Sequence, residues 1–273
     1  MKTCVVFNPN AGSAELWEQL RQKLSVGQEI ALRDTRGPDD ARRLAREALE
    51  QGYGLIVAAG GDGTISAVVD GLSADFSRAT LGIIPLGTGN DLARTLEVPR
   101  EPEAAIDLLR SGKTRTIDLI RVSSEGRTIH CVNCCAGGFS GQVDEILTDE
   151  MKQTWGPLAF MRGAIKALPD LTNYCTTIAY DDGSQERILA LNIIVANGRT
   201  AAGGLEVAPE ADPEDGLLDV VIVRPGTVTE LAGVAARLLG GDYTDSDIVA
   251  HRRARRVTVA SQPACGSTST ANW

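Results

Sequence analysis

The chain has 273 residues, 43% of them hydrophobic, enough to bury a sizeable core in one large or two modest domains. Its formal net charge of −9 and pI near 4.9 exclude nucleic acid as a partner, because neutralising a phosphate backbone takes an excess of Lys and Arg. No apolar run reaches the ~18 residues of a membrane span. The run at Met1 to Phe7 is too short for a signal peptide, so a cytoplasmic protein is expected.

In chain order, Thr3 to Phe7 reads as a short apolar strand that runs into the turn Asn8-Pro9-Asn10-Ala11-Gly12-Ser13. A helix follows, with Leu16, Leu20 and Leu24 on one face. Glu29 to Arg33 is a second strand, with Thr35 in the loop after it. Gly37-Pro38-Asp39-Asp40 starts a helix whose apolar face is Ala41, Leu44, Ala45, Ala48 and Leu49, with acidic residues at its positive end.

The apolar run Leu55-Ile56-Val57 leads into Ala58-Ala59-Gly60-Gly61-Asp62-Gly63-Thr64 and then into the apolar-spaced segment Ile65 to Leu72. Strand, glycine turn and helix start form a phosphate-type pattern: glycine backbones come close to a ligand, and the helix N-terminus adds partial positive charge. Asp62 would repel a bare phosphate, which points to a divalent cation or a hydroxyl donor beside it. The plain alternative is a β-turn joining strand to helix. A second stretch favours the ligand reading: Pro85-Leu86-Gly87-Thr88-Gly89-Asn90-Asp91-Leu92-Ala93-Arg94 again follows an apolar strand, Leu81 to Ile84, and again opens a helix. Two such units place both turns at the carboxyl edge of one parallel sheet, where α/β folds bind ligands.

Helices are expected from Asn90 to Leu96 and from Pro102 to Arg110. Strand-like alternation begins at Thr116-Ile117-Asp118-Leu119-Ile120 and continues through Thr128 to Cys135. The domain boundary is therefore placed at 120, giving an α/β domain over 1–120, a β-rich domain over 121–247 and a truncated or replaced return segment over 248–273. Strands are expected over Asn173 to Tyr180 and Glu186 to Ala196, around the turn Asp181-Asp182-Gly183-Ser184, and at Leu217 to Val223 after the acidic turn Asp212-Pro213-Glu214-Asp215-Gly216. Val228 to Leu239 reads as a packed helix. Trp155 to Leu168 reads as a helix whose apolar stripe either enters the core or touches an acyl chain. Six cysteines fit buried thiols in a reducing compartment, and Cys131-x-x-Cys134-Cys135 reads as core rather than as zinc ligands. The basic cluster His251-Arg252-Arg253-Ala254-Arg255-Arg256 serves either anionic lipid head groups or strand-edge solubility.

Together, Asn8 to Gly12, Gly60 to Thr64, Pro85 to Arg94, Gly203-Gly204 and Asp215-Gly216-Leu217-Leu218-Asp219 resemble the diacylglycerol kinase-like lipid kinases, in particular the bacterial soluble type. The Gly-Gly-Asp-Gly-Thr stretch alone is also similar to NAD kinases, whereas Gly-Thr-Gly-Asn-Asp is specific to the lipid and sphingoid kinases. The resemblance implies an NAD kinase/diacylglycerol kinase-like α/β domain followed by a β-sandwich-like domain. It also implies an ATP- and Mg²⁺-dependent transfer of phosphate to the hydroxyl of a diacylglycerol-like lipid, with transient membrane contact and a possible homodimer.

By that resemblance Asn8, Pro9, Gly12, Thr35, Gly60, Gly61, Asp62, Gly63, Thr64, Thr88, Gly89, Asn90 and Arg94 hold the nucleotide. Asp91 and Asp118 are the catalytic carboxylates that organise Mg²⁺ through water; the structural alternative for Asp118 is an Arg partner. Asp212, Asp215 and Leu217 hold a second, structural Mg²⁺. The chain departs from the family pattern at Ser66-Ala67, where relatives carry Asn-Glu, and at Ser13, where many carry a basic residue. It has no Asp or Glu after Asp247, although the family's return strand ends in Asp-Gly-Glu. A general base contributes about 10²–10⁴-fold, so weak transfer, or a nucleotide-binding homologue without turnover, is the rival expectation.

Overall fold

A computed structural model describes residues 2–24, 30–124, 126–140, 172–262 and 267–269. The chain falls into two compact units, one of Met1–Thr116 with Arg121–Val132 and one of Ile117–Ile120 with Asn133–Trp273.

The first unit contains β1 (Thr3–Phe7), α1 (Trp17–Leu24), β2 (Ile30–Asp34), α2 (Asp40–Glu50), β3 (Leu55–Gly60) and α3 (Asp62–Gly71). It continues with β4 (Thr80–Pro85), α4 (Asp91–Thr95), α5 (Pro102–Ser111), β5 (Ile120–Ser124) and β6 (Arg127–Cys131). Strands β2-β1-β3-β4 form one parallel sheet in that order. Such strands read as continuous apolar runs because helices cover both faces. Val5, Phe7, Val57, Ala59 and Ile84 pack on one face with Trp17, Leu20 and Leu24 of α1 and Ile106 of α5. Cys4, Val6, Ile56 and Ala58, one residue out of phase, are fully buried on the other, and α2 and α3 pack on β1 and β3. The expected apolar face of α2 is buried at all five positions.

Register fixes the edge that matters for function. Phe7 lies opposite Asp34 on one side and Ala59 on the other, and Gly60 lies opposite Pro85. The strands therefore end in line, and the segments that follow each of them emerge along one edge.

Asp70, buried on α3, accepts the Arg42 Nε–H at 2.9 Å and the His130 backbone N–H at 3.2 Å. This one carboxylate ties α3 to α2 and to β6. The His130 ring meets Phe76 edge-on at 5.3 Å, while Cys131 is fully buried, in keeping with strand alternation.

The second unit contains β7 (Cys134–Gly138), β8 (Tyr174–Tyr180), β9 (Gln185–Ala190), β10 (Asn192–Ala196), β11 (Thr200–Ala201) and β12 (Leu205–Glu206). Then come β13 (Leu218–Val223), α6 (Val228–Gly240), β14 (Val249–Ala254), β15 (Val257–Gln262) and β16 (Ser267–Ser269). An antiparallel sheet β14-β13-β10-β7-β16 faces a three-stranded sheet β15-β8-β9. Ile178, Tyr180 and Ala190 of the smaller sheet pack against Ile193, Val220, Ile222 and Ala254 of the larger. The outer face of the larger sheet, with Ile194, Val221 and Val223, is covered by Val234 of α6. Helix α6 opens on a reciprocal capping box between Thr227 and Glu230 and closes on Gly241.

Two strand expectations are corrected. The run Glu186 to Ala196 is two strands: β9 pairs with β8, and after Leu191 the chain crosses to the other sheet, where β10 pairs with β13 and β7. The Leu191 N–H bonds the Val223 carbonyl at 2.8 Å, so the sheet change occurs with no turn residue to mark it. The strand expected from Thr116 begins at Ile120, because the Asp118 N–H is turned to the Pro213 carbonyl at 2.7 Å rather than into a ladder. Among the described residues, no helix is long and apolar enough to cross a membrane. The expected helix over Trp155 to Leu168 lies outside the described residues.

Candidate functional site

Three turns converge at the carboxyl edge of the parallel sheet. The Asn8 N–H bonds the Ala59 carbonyl at 2.9 Å, and its Nδ2 donates to Thr64 Oγ1 at 3.1 Å. The Ser13 N–H bonds the Leu86 carbonyl at 2.9 Å, and the Leu86 N–H bonds the Gly60 carbonyl at 2.9 Å. Thr35 is drawn to the same edge by its N–H on the Phe7 carbonyl at 2.8 Å. The turns after β1, β3 and β4 are thus laced to one another through backbone groups.

Glycine is required here by turn-on-turn packing. A Cβ at Gly87 would lie 2.4 Å from the Gly61 Cα, and one at Gly61 would lie 3.1 Å from the Gly87 Cα. A Cβ at Gly12 would meet Thr88 Oγ1 at 3.3 Å.

Helix α3 supplies the donors. Its N-cap, Gly61, is extended and offers no side-chain cap, and the Ile65 N–H takes the Gly61 carbonyl as the first helical bond. The N–H groups of Asp62, Gly63 and Thr64 therefore sit in the first turn, where a helix leaves its donors without helical acceptors. Three such donors at the positive end of a helix dipole make an anion site. Thr64 is buried and Gly63 is exposed.

In the turn after β4, Asn90 has a left-handed backbone, φ 52°. The Gly87 N–H bonds its Oδ1 at 2.9 Å, and its Nδ2 donates to the Gly87 carbonyl at 2.6 Å. Asp62 Oδ1 accepts the Leu92 N–H at 3.1 Å, linking the start of α3 to the start of α4. Asp91 is 3% exposed at the first position of α4. Arg94 is half-buried on α4, and its Nε is enclosed without a hydrogen-bond partner among the described residues. Ser66 is fully buried, and its Oγ likewise has no partner there.

Asp118 belongs to the second unit and Asp91 to the first. Asp118 Oδ2 accepts the Gly216 N–H at 2.7 Å, and its carbonyl accepts Asn197 Nδ2 at 2.9 Å. With its N–H on the Pro213 carbonyl and its Oδ2 on the Gly216 N–H, Asp118 clamps the acidic turn at two points. In that turn Asp212 Oδ1 accepts the Glu214 N–H at 3.0 Å, Asp215 Oδ1 accepts the Leu217 N–H at 2.9 Å, and Asp215 Oδ2 pairs with Arg253. Both oxygens of Asp215 are thus engaged by donors. A Mg²⁺ at this turn would compete with Arg253 for the Asp215 carboxylate. Among the described residues no group of three or more His, Cys, Asp or Glu is gathered as for a metal.

Asp219 and His251 carry a pairing that sequence reasoning missed. Asp219, 1% exposed on β13, meets His251 Nε2 at 2.6 Å, and Arg253 Nε lies 3.8 Å away. The signal was available: an Asp inside Leu218 to Val223 needs a cationic partner. The basic cluster is largely used inside the unit, since Arg252 pairs with Asp182 and stacks on the Tyr180 ring at 3.9 Å.

The Asp219 hydrogen bond raises the His251 pKa against the opposing effect of burial, with further help from the Asp219 and Glu210 charges. A raised folded-state pKa stabilises fully below the unfolded value, about 6.5, and that contribution fades as pH climbs through the folded value. Urea titrations of the wild type should therefore show stability declining above about pH 6.5. A His251→Gln variant, which keeps a hydrogen-bonding side chain and cannot titrate, should have a flatter profile. Parallel profiles would refute the assignment.

A parallel α/β unit with glycine turns at its carboxyl edge, followed by an antiparallel sandwich, is the architecture of the diacylglycerol kinase fold. Residues 2–122 match the diacylglycerol kinase catalytic domain, and residues 133–269 match the YegS C-terminal NAD kinase beta sandwich-like domain. The chain is 36% identical over 238 residues to a protein of Pseudomonas aeruginosa PAO1 named "Probable lipid kinase YegS-like", covering 87% of this chain and 76% of that one. It is 32% identical over 262 residues to the diacylglycerol kinase of Bacillus subtilis 168, covering 93% and 84%. A crystal structure of a diacylglycerol kinase from Bacillus anthracis Sterne superposes with a TM-score of 0.78 at 23% identity, covering 100% of this chain and 90% of that one. The chain belongs to the bacterial diacylglycerol kinase and YegS-like lipid kinase family.

Proposed function

We propose that the protein transfers the γ-phosphate of MgATP to the free hydroxyl of a diacylglycerol-like lipid. The observation that carries this reading is the lacing of three glycine-bearing turns at one sheet edge, beside an uncapped helix N-terminus. Phosphoryl transfer asks mainly for positioning and for charge neutralisation. First-turn amides at Asp62, Gly63 and Thr64 would receive the phosphates, with the Gly12 turn and the Thr35 and Thr88 hydroxyls around them. Arg94, with an enclosed Nε left without a partner among the described residues, would add positive charge. Asp91, buried at the start of α4, would hold the magnesium that travels with ATP. A structural ion at Asp212, Asp215 and Leu217 would require Arg253 to leave Asp215, and no step depends on it.

The test is incubation with labelled ATP, Mg²⁺ and dioleoylglycerol. Labelled phosphatidic acid is expected from the wild type, and at least about 100-fold less from Asp91→Ala, as for loss of a group that organises transition-state charge. ATP binding without phosphatidic acid would leave only the nucleotide-binding part of the proposal. Absence of both would reject it.

A further inference from the structure

Asn90 sits in the turn that would receive the nucleotide, yet its side chain faces the protein. It is 5% exposed, and both amide atoms are engaged by the backbone of one residue, Gly87, in a closed ring of two hydrogen bonds. Its own carbonyl accepts the Arg94 N–H at 3.0 Å. Its backbone is left-handed, a conformation that Asn tolerates and most residues with a Cβ avoid. That reversal turns the chain so that the Leu92 N–H, two residues on, reaches Asp62 Oδ1 at 3.1 Å. Gly87, the other end of the ring, is the residue pressed against the Gly61 Cα.

We infer that Asn90 is a positioning residue that never touches the nucleotide: its amide ring and left-handed backbone lock the turn after β4 against the turn after β3, and so fix Gly61 and Asp62. The inference rests on the nucleotide-site reading for its functional consequence, while the lock itself belongs to the ligand-free fold. The family resemblance groups Asn90 with the nucleotide contacts; the ring gives its amide another task.

Glycine and alanine separate the two roles. Both lack the amide, but only glycine enters the left-handed region freely. Asn90→Gly is expected to bind MgATP within about fivefold of the wild type, and Asn90→Ala at least about tenfold more weakly than Asn90→Gly, the strain of one left-handed residue with a Cβ. Equal weakening of the two, with the Gly87 and Leu92 amides still exchanging at wild-type rates, would mean that the amide itself contacts the ligand and would overturn the inference. Should Asn90→Ala not fold, Asn90→Asp replaces it. Asp keeps the acceptor for the Gly87 N–H but sets an oxygen against the Gly87 carbonyl, so weaker binding with faster Gly87 exchange supports positioning, and weaker binding at wild-type exchange rates contradicts it.

Hydrogen exchange in the ligand-free protein supplies the readout that needs no nucleotide. The Gly87 and Leu92 amides should exchange slowly in the wild type. Both should exchange faster in Asn90→Ala, with Leu92 remaining slower in Asn90→Gly. Fast exchange of both in the wild type would overturn the lock. If the wild type binds no ATP, the proposed function fails, and the exchange rates still decide the role of Asn90.

Discussion

Gly87→Ala should weaken nucleotide binding by about 100-fold or more while leaving the second unit's fold intact. The added methyl would stand 2.4 Å from the Gly61 Cα and 3.0 Å from Asn90 Oδ1. The nearest obstacle is backbone, which cannot rotate away as a side chain can, so one turn must leave the other. Inserting a methylene into such a contact costs about 1–3 kcal/mol. That cost falls on the first unit, whose stability rests on its own core. The functional loss should be larger than the stability loss, because the shift is delivered to the first-turn amides of α3. A displacement of about 1 Å at a reacting group can cost 10²-fold. We expect ATP affinity to fall by at least about 100-fold in a calorimetric titration, with the variant still folded by circular dichroism. An affinity within threefold of the wild type would show that the two turns do not act as one.

Trp17→Ala is expected to be the most destabilising single truncation in the first unit. Trp17 is 5% exposed and stacks on Phe7, with centroids 4.2 Å apart and planes 11° from parallel. It fills the face of the sheet shared by Leu20, Val57, Ile84 and Ile106. Truncating a buried Trp costs about 3–5 kcal/mol, from lost apolar burial and from the cavity left behind. Phe7 is the last residue of β1, so the same truncation frees the strand end from which the Asn8 turn springs. The denaturant midpoint should drop accordingly, and saturating ATP should recover part of it, since a ligand that binds only the folded state stabilises by mass action. A loss below about 1 kcal/mol would mean that the cavity is filled by neighbouring side chains.

Much of the first unit was legible because its strands are covered on both faces. Leu55 to Ala59 is a continuous apolar run, Gly60 and Gly61 mark its end, and the α2 face repeats at helical spacing. The second unit was less legible where the chain changes partners without changing character. Leu191 lies between the apolar end of β9, Ile188-Leu189-Ala190, and β10, and no Gly or Pro marks the change of sheet.

At the candidate site, the position of each turn could be read, but its internal bonding could not. Asp62 meets an amide 30 residues away, and Asp118 meets one 98 residues away. Local spacing carries no record of either contact. The basic cluster illustrates the same limit: six residues that suggest an exposed patch include His251, Arg252 and Arg253, which pair with Asp219, Asp182 and Asp215.

The central claim is that the edge formed by the turns after β1, β3 and β4 receives the triphosphate. Hydrogen exchange with and without saturating MgATP tests it residue by residue. Slowed exchange is predicted at the amides of Gly12, Asp62, Gly63 and Thr64, with the strands beneath unchanged. Tight ATP binding that leaves those four amides at their ligand-free rates would contradict it.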